Sequence, residues 1–315
     1  MNWQPSASTE TLRARAHLLA QIRQFFHQRN AFEVDVPVLG VTGVTDLHID
    51  SIAAQCNGGE FFLQSSPEYF MKRLLAAGSG DIYCLGKAFR DGEAGSRHNP
   101  EFTLLEWYRV GWDEHRLMEE VAELLRHLLP DSLPLHKFSY GELFLQHTGL
   151  NPHTVALQNL QTLAGEVTGN PAFNEPRSTC LDAIFSFAIE PKLPDGLVLV
   201  YDYPQCQAAL ARIQPDNNGQ PVARRFEAFL NGMELANGYW ELTCPKEQAR
   251  RFEDDRQQRR TAGKAEIEAD GKLLAAMQSG MPECAGVALG VDRLLMQLLG
   301  EQSIEAVMAF PLSQV

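Results

Sequence analysis

The sequence predicts an α+β fold: an antiparallel sheet flanked by helices. Three observations lead there. Strand-like runs come in neighbouring pairs instead of alternating one by one with helices. Asn231-Gly232 stands between two apolar runs, which is the strongest short-range signal of a hairpin. Amphipathic helical stretches lie before and after these runs. No internal repeat, low-complexity segment or dividing linker is evident, so residues 1–315 read as one domain.

The elements follow in order. Apolar side chains at 12, 18, 19, 22, 25 and 26 predict a helix over 11–29, with Ser8 or Thr9 as its N-cap. AFEVDVP alternates and stops at Pro37, as a strand end does. Further strands are expected over 61–64, 82–89, 101–110 and 197–203. Residues 118–129 predict an amphipathic helix, and 130–195 a mixed region of short helices that packs on the sheet. Residues 214–221, QPDNNGQP, predict a loop. The hairpin at 231–232 follows, then a charged, solvated helix over 246–261. A strand over 285–290 runs into a helix over 292–299.

Composition narrows the class. Hydrophobic content is 44% and charged content 21%, as in soluble globular proteins. There is no apolar run of membrane-spanning length and no basic, then apolar, N-terminal leader, so a cytoplasmic protein is expected. The six cysteines form no CxxC pair and are expected to be free, mostly buried thiols. A net charge of −13 argues against a nucleic acid as the main partner and suits a basic protein.

Four clusters carry chemistry. In the first, residues 89–109, FRDGEAGSRHNPEFTLLEWYR, a strand ends at Arg90 and a glycine-containing loop leads into HNPEF. A second strand there carries Phe102, Glu106 and Tyr108. A guanidinium can grip a phosphate and an aromatic ring can stack on a base. In the second, regular alternation along the 231–232 hairpin places Glu227 and Glu234 as diagonal neighbours. They can hold one Mg²⁺, or be two exposed acids on a sheet face. Glu241 would then lie on the other face unless Gly238 marks a bulge. The third, GVALGVDR over 286–293, sets Arg293 at a strand-to-helix junction suited to an anion. In the fourth, Ser66-Pro67-Glu68 starts a helix, which is ordinary capping chemistry, and can also set Glu68 over an amine.

Together these segments resemble the catalytic domain of class II aminoacyl-tRNA synthetases, and specifically the lysyl branch. EVDVP (33–37), residues 89–109 and GVALGVDR (286–293) resemble its three ordered motifs, and RFEAFLNGMELANGYWEL (225–242) its ligand-bearing hairpin. The match runs from about residue 10 to residue 312. No anticodon-reading OB-fold segment precedes it, so the resemblance is greatest to the stand-alone paralogues. Those join (R)-β-lysine to a lysine side chain of elongation factor P.

The resemblance implies ATP as a substrate, Mg²⁺, an aminoacyl-adenylate and a homodimer. It implies Arg90 and Arg293 as the catalytic cations on the phosphates. Asp91, Gly92, Asn99, Phe102, Glu234, Leu235 and Gly290 would complete the ATP site. Ser66, Pro67, Glu68, Glu106, Tyr108, Glu241 and Ala288 would hold lysine or (R)-β-lysine, and Glu227 and Glu234 the metal. Two positions depart from the synthetase pattern. Gly92 stands where a glutamate is usual, and Ala288 where lysyl-tRNA synthetases have glycine. A trimmed synthetase charging tRNA and a non-catalytic amino-acid-binding paralogue are the rival readings.

Overall fold

The computed structural model describes residues 3–129 and 132–315. The chain divides into two compact units: Met1–Trp112, His127–Leu129 and Leu242–Val315 form the first, Asp113–Arg126 and Pro130–Glu241 the second.

The first unit is built on a long hairpin. Strands Ile82–Phe89 and Glu101–Val110 pair antiparallel, and Cys284–Gly290 adds antiparallel to the other edge of Glu101–Val110. The expected strand at EVDVP is shorter than its alternation suggested. Only Phe32–Glu33 pairs, and it pairs parallel with Ile82–Phe89. A separate three-stranded sheet, Leu39–Gly40, Gly59–Leu63 and Ala53–Cys56, escaped the sequence reading in all but its middle strand.

The helix Thr9–His27 starts where expected, with the Ser8 hydroxyl accepting from Thr11 N–H at 3.1 Å. It buries Leu18, Ile22, Phe25 and Phe26. Phe26 stacks on Tyr83 at 4.6 Å and meets Trp107 edge-on at 5.3 Å, which fixes the helix to the hairpin. The charged helix Pro245–Thr261 is not wholly solvated: Arg259 is buried and donates to the carbonyls of Asp46, Ile49 and Ala265 and to Asp50.

In the second unit Pro221–Leu230 lies between Leu197–Pro204 and Met233–Trp240, antiparallel to both. Leu135–Ser139 pairs parallel with Leu197–Pro204. The pairing in both units is therefore mixed, not purely antiparallel. Asn231 and Gly232 both have positive φ, 49° and 72°, the type I′ geometry the Asn-Gly pair predicts. The expected loop over 214–221 is itself a short hairpin: Ile213–Pro215 pairs with residues 221–223. Helices Tyr140–Thr148, Leu157–Thr168 and Arg177–Ile184 bury their apolar faces with Val198, Val200 and Phe229. Tyr140 sits at the centre of that cluster, 5.1 Å from Phe185 and 4.9 Å from Tyr203.

The thiols are free; Cys84, Cys180 and Cys284 are buried and Cys56 is half-buried, but Cys206 and Cys244 are exposed, against expectation.

Candidate active site

In the first unit, local geometry converges on Glu106. Strand Gly59–Leu63 ends and Ser66-Pro67 turns the chain into helix Glu68–Ala76. The Ser66 hydroxyl accepts from the backbone N–H of Glu68 at 3.0 Å, closing a two-residue turn ahead of the helix, whose N-cap position, Pro67, has no side-chain cap, against expectation. The same hydroxyl donates to Glu106 Oε2 at 2.5 Å. Tyr108, two residues along the strand on the same face, donates to Glu106 Oε1 at 2.7 Å. Pairing sets Cys84 opposite Glu106 on one side and Ala288 on the other.

The Glu106 carboxyl is 2% exposed. Burial, and then the nearby Glu68 carboxylate, push it up to about 7, against the pull of the Ser66 and Tyr108 hydrogen bonds and of Lys72. A carboxyl so poised can exist in either charge state near neutrality and receives an ammonium group as an anion. Burial, with Glu106 next, pushes the Cys84 thiol up to about 12, so it is no nucleophile near neutral pH. A cavity of about 160 Å³ opens beside this cluster, lined by Ser66, Glu68, Tyr69, Phe70 and Arg73 among others.

The phosphate-binding candidates lie at the far end of the same hairpin. Arg90 is fixed by its backbone N–H to Pro100 O at 2.9 Å. Its guanidinium lies 5.1 Å from the centre of the Phe102 ring and 3.5 Å from Glu93. The guanidinium thus lies over the face of the Phe102 ring. Asp91 is held by its backbone N–H to Asp50 O at 2.8 Å, and Asp50 in turn binds Arg259 and Lys264. Gly92 has φ +74°, a left-handed backbone that glutamate would adopt only under strain. The carboxylate that reaches Arg90 is Glu93.

Arg293 lies in the first turn of helix Val291–Leu299, beyond Gly290. Its Nη2 is 2.6 Å from His98 Nε2, and its Nε donates to the Arg97 carbonyl at 3.3 Å. Burial and the Arg293 charge hold His98 below the usual histidine range, so the ring accepts from the guanidinium. Asn99 braces the framework, its amide donating to Glu101 O at 2.7 Å and its oxygen accepting from Leu312 N–H at 2.9 Å.

Sequence reasoning missed Asp292, Arg15 and Lys72. Asp292 is buried; it pairs with Arg15 and accepts from Thr103 N–H at 2.6 Å. Arg15 also donates to Val307 O from Nε and Nη2, at 3.1 and 2.9 Å. Nothing in the sequence relates residues so far apart. Lys72 did leave a signal, since it stands four residues after Glu68 on one helix.

In the second unit, Phe229 pairs with Glu234 and Leu230 with Met233, as the two-residue turn predicts. A bulge then interrupts the ladder between Ala228 and Phe229. Ala228 faces Ala236, so the extra residue is Leu235, not Gly238, and Glu227 faces Asn237. The regular diagonal between Glu227 and Glu234 is therefore lost. Glu227 is instead bound through one oxygen by Arg225 and through the other by the Tyr203 hydroxyl, at 2.7 Å. A metal ion there would have to displace the partly buried Arg225 guanidinium and the Tyr203 hydroxyl, so Glu227 does not fit a metal ligand. Among the described residues no three His, Cys, Asp or Glu side chains gather as a metal cage. Leu235 is buried. Glu241 is 1% exposed, and its carbonyl accepts from Arg212 Nε and Nη2 at 3.3 and 3.2 Å.

These observations can be set beside known proteins. The family model described as tRNA synthetases class II (D, K and N) matches residues 1–314. The chain belongs to that class II family. It is similar to the elongation factor P–(R)-β-lysine ligase of Pasteurella multocida, 46% identical over 98% of this chain and 97% of that one. The ligase of the same name from Mannheimia succiniciproducens is 47% identical over the same shares. That of Vibrio cholerae is 46% identical over 98% of each chain. The α+β architecture is the one this membership implies. No helix among the described residues is long and apolar enough to cross a membrane.

Proposed function

We propose that this protein activates (R)-β-lysine with ATP and transfers it to a lysine side chain of elongation factor P. The observation that carries the reading is Glu106, a buried carboxyl held by Ser66 and Tyr108 at the foot of the hairpin whose other end presents Arg90 and Phe102. A buried carboxylate favours a cationic ligand, because an uncompensated buried charge is costly. The relatives' names support the same substrates. Under this reading residues 1–315 act as a single catalytic domain.

In the proposed first step the substrate carboxylate attacks the α-phosphate of ATP. The α-phosphorus–oxygen bond to pyrophosphate breaks, and an aminoacyl-adenylate forms. Arg90 and Arg293 stabilise the charge that develops on the phosphates, and Phe102 orients the base. Asp91, Gly92, Asn99 and Gly290 shape the nucleotide site. Ser66, Glu68, Glu106 and Tyr108 hold the amino acid. In the second step the ε-amine of the acceptor lysine attacks the adenylate carbonyl, and AMP leaves.

Magnesium is the cation expected with ATP, with Glu234 as the carboxylate assigned to it; the metal would neutralise phosphate charge. A net charge of −13 favours a basic protein acceptor over tRNA. Phe32, Val38, Leu39 and Val41 are exposed apolar side chains within ten residues, suited to a homodimer contact. A cytoplasmic location fits a reaction on a translation factor.

The test is ATP–pyrophosphate exchange with α-lysine and with (R)-β-lysine, then mass measurement of elongation factor P after incubation. Exchange with (R)-β-lysine and one added residue on elongation factor P are expected. Exchange with neither amino acid would sink the reading, and charging of tRNA in place of the protein would favour the trimmed synthetase.

A further inference from the structure

Lys72 is a lysine almost wholly out of solvent, 1% exposed, inside a segment otherwise read as a helix start. Buried lysines are rare unless paired. Its Nζ lies 2.6 Å from Glu68 Oε1, one helical turn back. Glu68 is tied by its backbone N–H to Ser66 Oγ, and Ser66 Oγ is tied to Glu106. Two carboxylates and one ammonium therefore act on one another in a single cluster, with Lys72 and Glu106 buried and the Glu68 side chain 17% exposed.

The charges decide what this cluster can bind. With Lys72 present, Glu68 is already compensated and one negative charge remains, on Glu106. Without Lys72, the two carboxylates would act on each other with no cation between them, which disfavours ionising the buried Glu106. We propose that Lys72 is a positioning residue: by pairing with Glu68 it holds that carboxylate at the Ser66 turn and leaves Glu106 as the anion that receives the substrate ammonium. It touches no reacting atom. The inference rests on the proposed function, and it adds a residue that the motif reading does not contain.

The groups facing Glu106 are Glu68 and Lys72 from the helix, Ser66 from the turn, Tyr108 from its own strand and Cys84 from the neighbouring strand. The opposite neighbour, Ala288, carries no charge. Lys72 is the cation among them, and its ammonium favours the ionised form of Glu106. Removing it raises the pH at which Glu106 ionises.

The experiment is the pH profile of kcat/KM for (R)-β-lysine in pyrophosphate exchange, paired with ¹³C-carboxyl titration of Glu106 in the unliganded protein. In Lys72→Met the acid limb and the Glu106 titration should both move up by roughly one pH unit. KM at pH 7 should rise, while kcat at saturation changes little. Lys72→Arg, which keeps the charge, should leave the limb near its original pH. An unmoved limb in a folded, active Lys72→Met overturns the inference, as does an equal movement in Lys72→Arg. If Lys72→Met does not fold, the double variant Glu68→Gln with Lys72→Met strands no charge and is compared with Glu68→Gln alone. Glu106 should titrate higher in the double variant, and equal titrations overturn the inference. Wild-type protein inactive in exchange would count against the proposed function instead, and the carboxyl titration would still decide the role of Lys72.

Discussion

The Tyr108 hydroxyl donates to Glu106 Oε1 at 2.7 Å, from two residues further along one strand, in a site closed to solvent. A hydrogen bond to a charged group contributes about 1.5–3 kcal/mol, so Tyr108→Phe should raise KM for the amino acid roughly tenfold or more. Steady-state exchange kinetics check this, and an unchanged KM would remove Tyr108 from the pocket.

The position of Glu106 makes a paired prediction about pH. Its carboxyl is raised from the usual 4.5 to about 7 in the folded protein. The folded state therefore holds the proton more tightly than the unfolded state. That contribution to stability is complete below pH 4.5 and is lost as pH rises through 7, on the order of 3 kcal/mol in all. Ammonium binding runs the other way, strengthening as Glu106 ionises. Denaturant midpoints between pH 4.5 and 7 should fall in the wild type and flatten in Glu106→Gln, while amino-acid affinity climbs over the same range.

Arg90 faces Phe102 and is partly exposed, so removing its side chain leaves no buried cavity. Arg90→Ala should abolish pyrophosphate exchange and leave the circular dichroism spectrum and melting temperature nearly unchanged. Near-normal exchange would refute its assignment to the α-phosphate.

Ala288 stands opposite Glu106 in the pairing of Cys284–Gly290 with Glu101–Val110. One methyl group in a tight pocket alters discrimination by about 1–3 kcal/mol. Ala288→Gly should shift the ratio of α-lysine to (R)-β-lysine activation toward α-lysine by roughly tenfold. Side-by-side exchange assays give the ratio, and an unaltered one counts against a role in specificity.

Asp292 is buried beneath the Arg293 junction, between Arg15 and Thr103 N–H. Breaking a buried pair from one side typically costs about 3–5 kcal/mol, and Arg15 keeps some access to water, so Asp292→Ala should cost about 3 kcal/mol. Urea denaturation reads the loss. A cost below about 1 kcal/mol, as for a surface pair, would show that Asp292 is no anchor.

Wherever a rule of local geometry held, the sequence was enough. The Asn231-Gly232 turn, strands Ile82–Phe89 and Glu101–Val110, and the Ser8 cap follow from turn chemistry, side-chain alternation and capping. That Arg90 and Phe102 come together was legible as well, because they stand at one end of a single hairpin. The same local logic failed at Glu227. A one-residue bulge at Leu235 broke the alternation, and Arg225 and the Tyr203 hydroxyl hold the carboxylate that was expected on a metal.

Order and spacing along the chain thus determined the family, the hairpins and the ionisable residues they carry. Only tertiary structure decided their electrical state. Glu106 became a carboxyl balanced near neutrality through burial and through Glu68, Ser66 and Lys72, which lie more than thirty residues away in the chain. Arg15 met Asp292 across 277 residues. Propensity and alternation act between neighbours and can be read from a string. Desolvation and charge coupling act through space, and are fixed only once the chain has brought distant groups together.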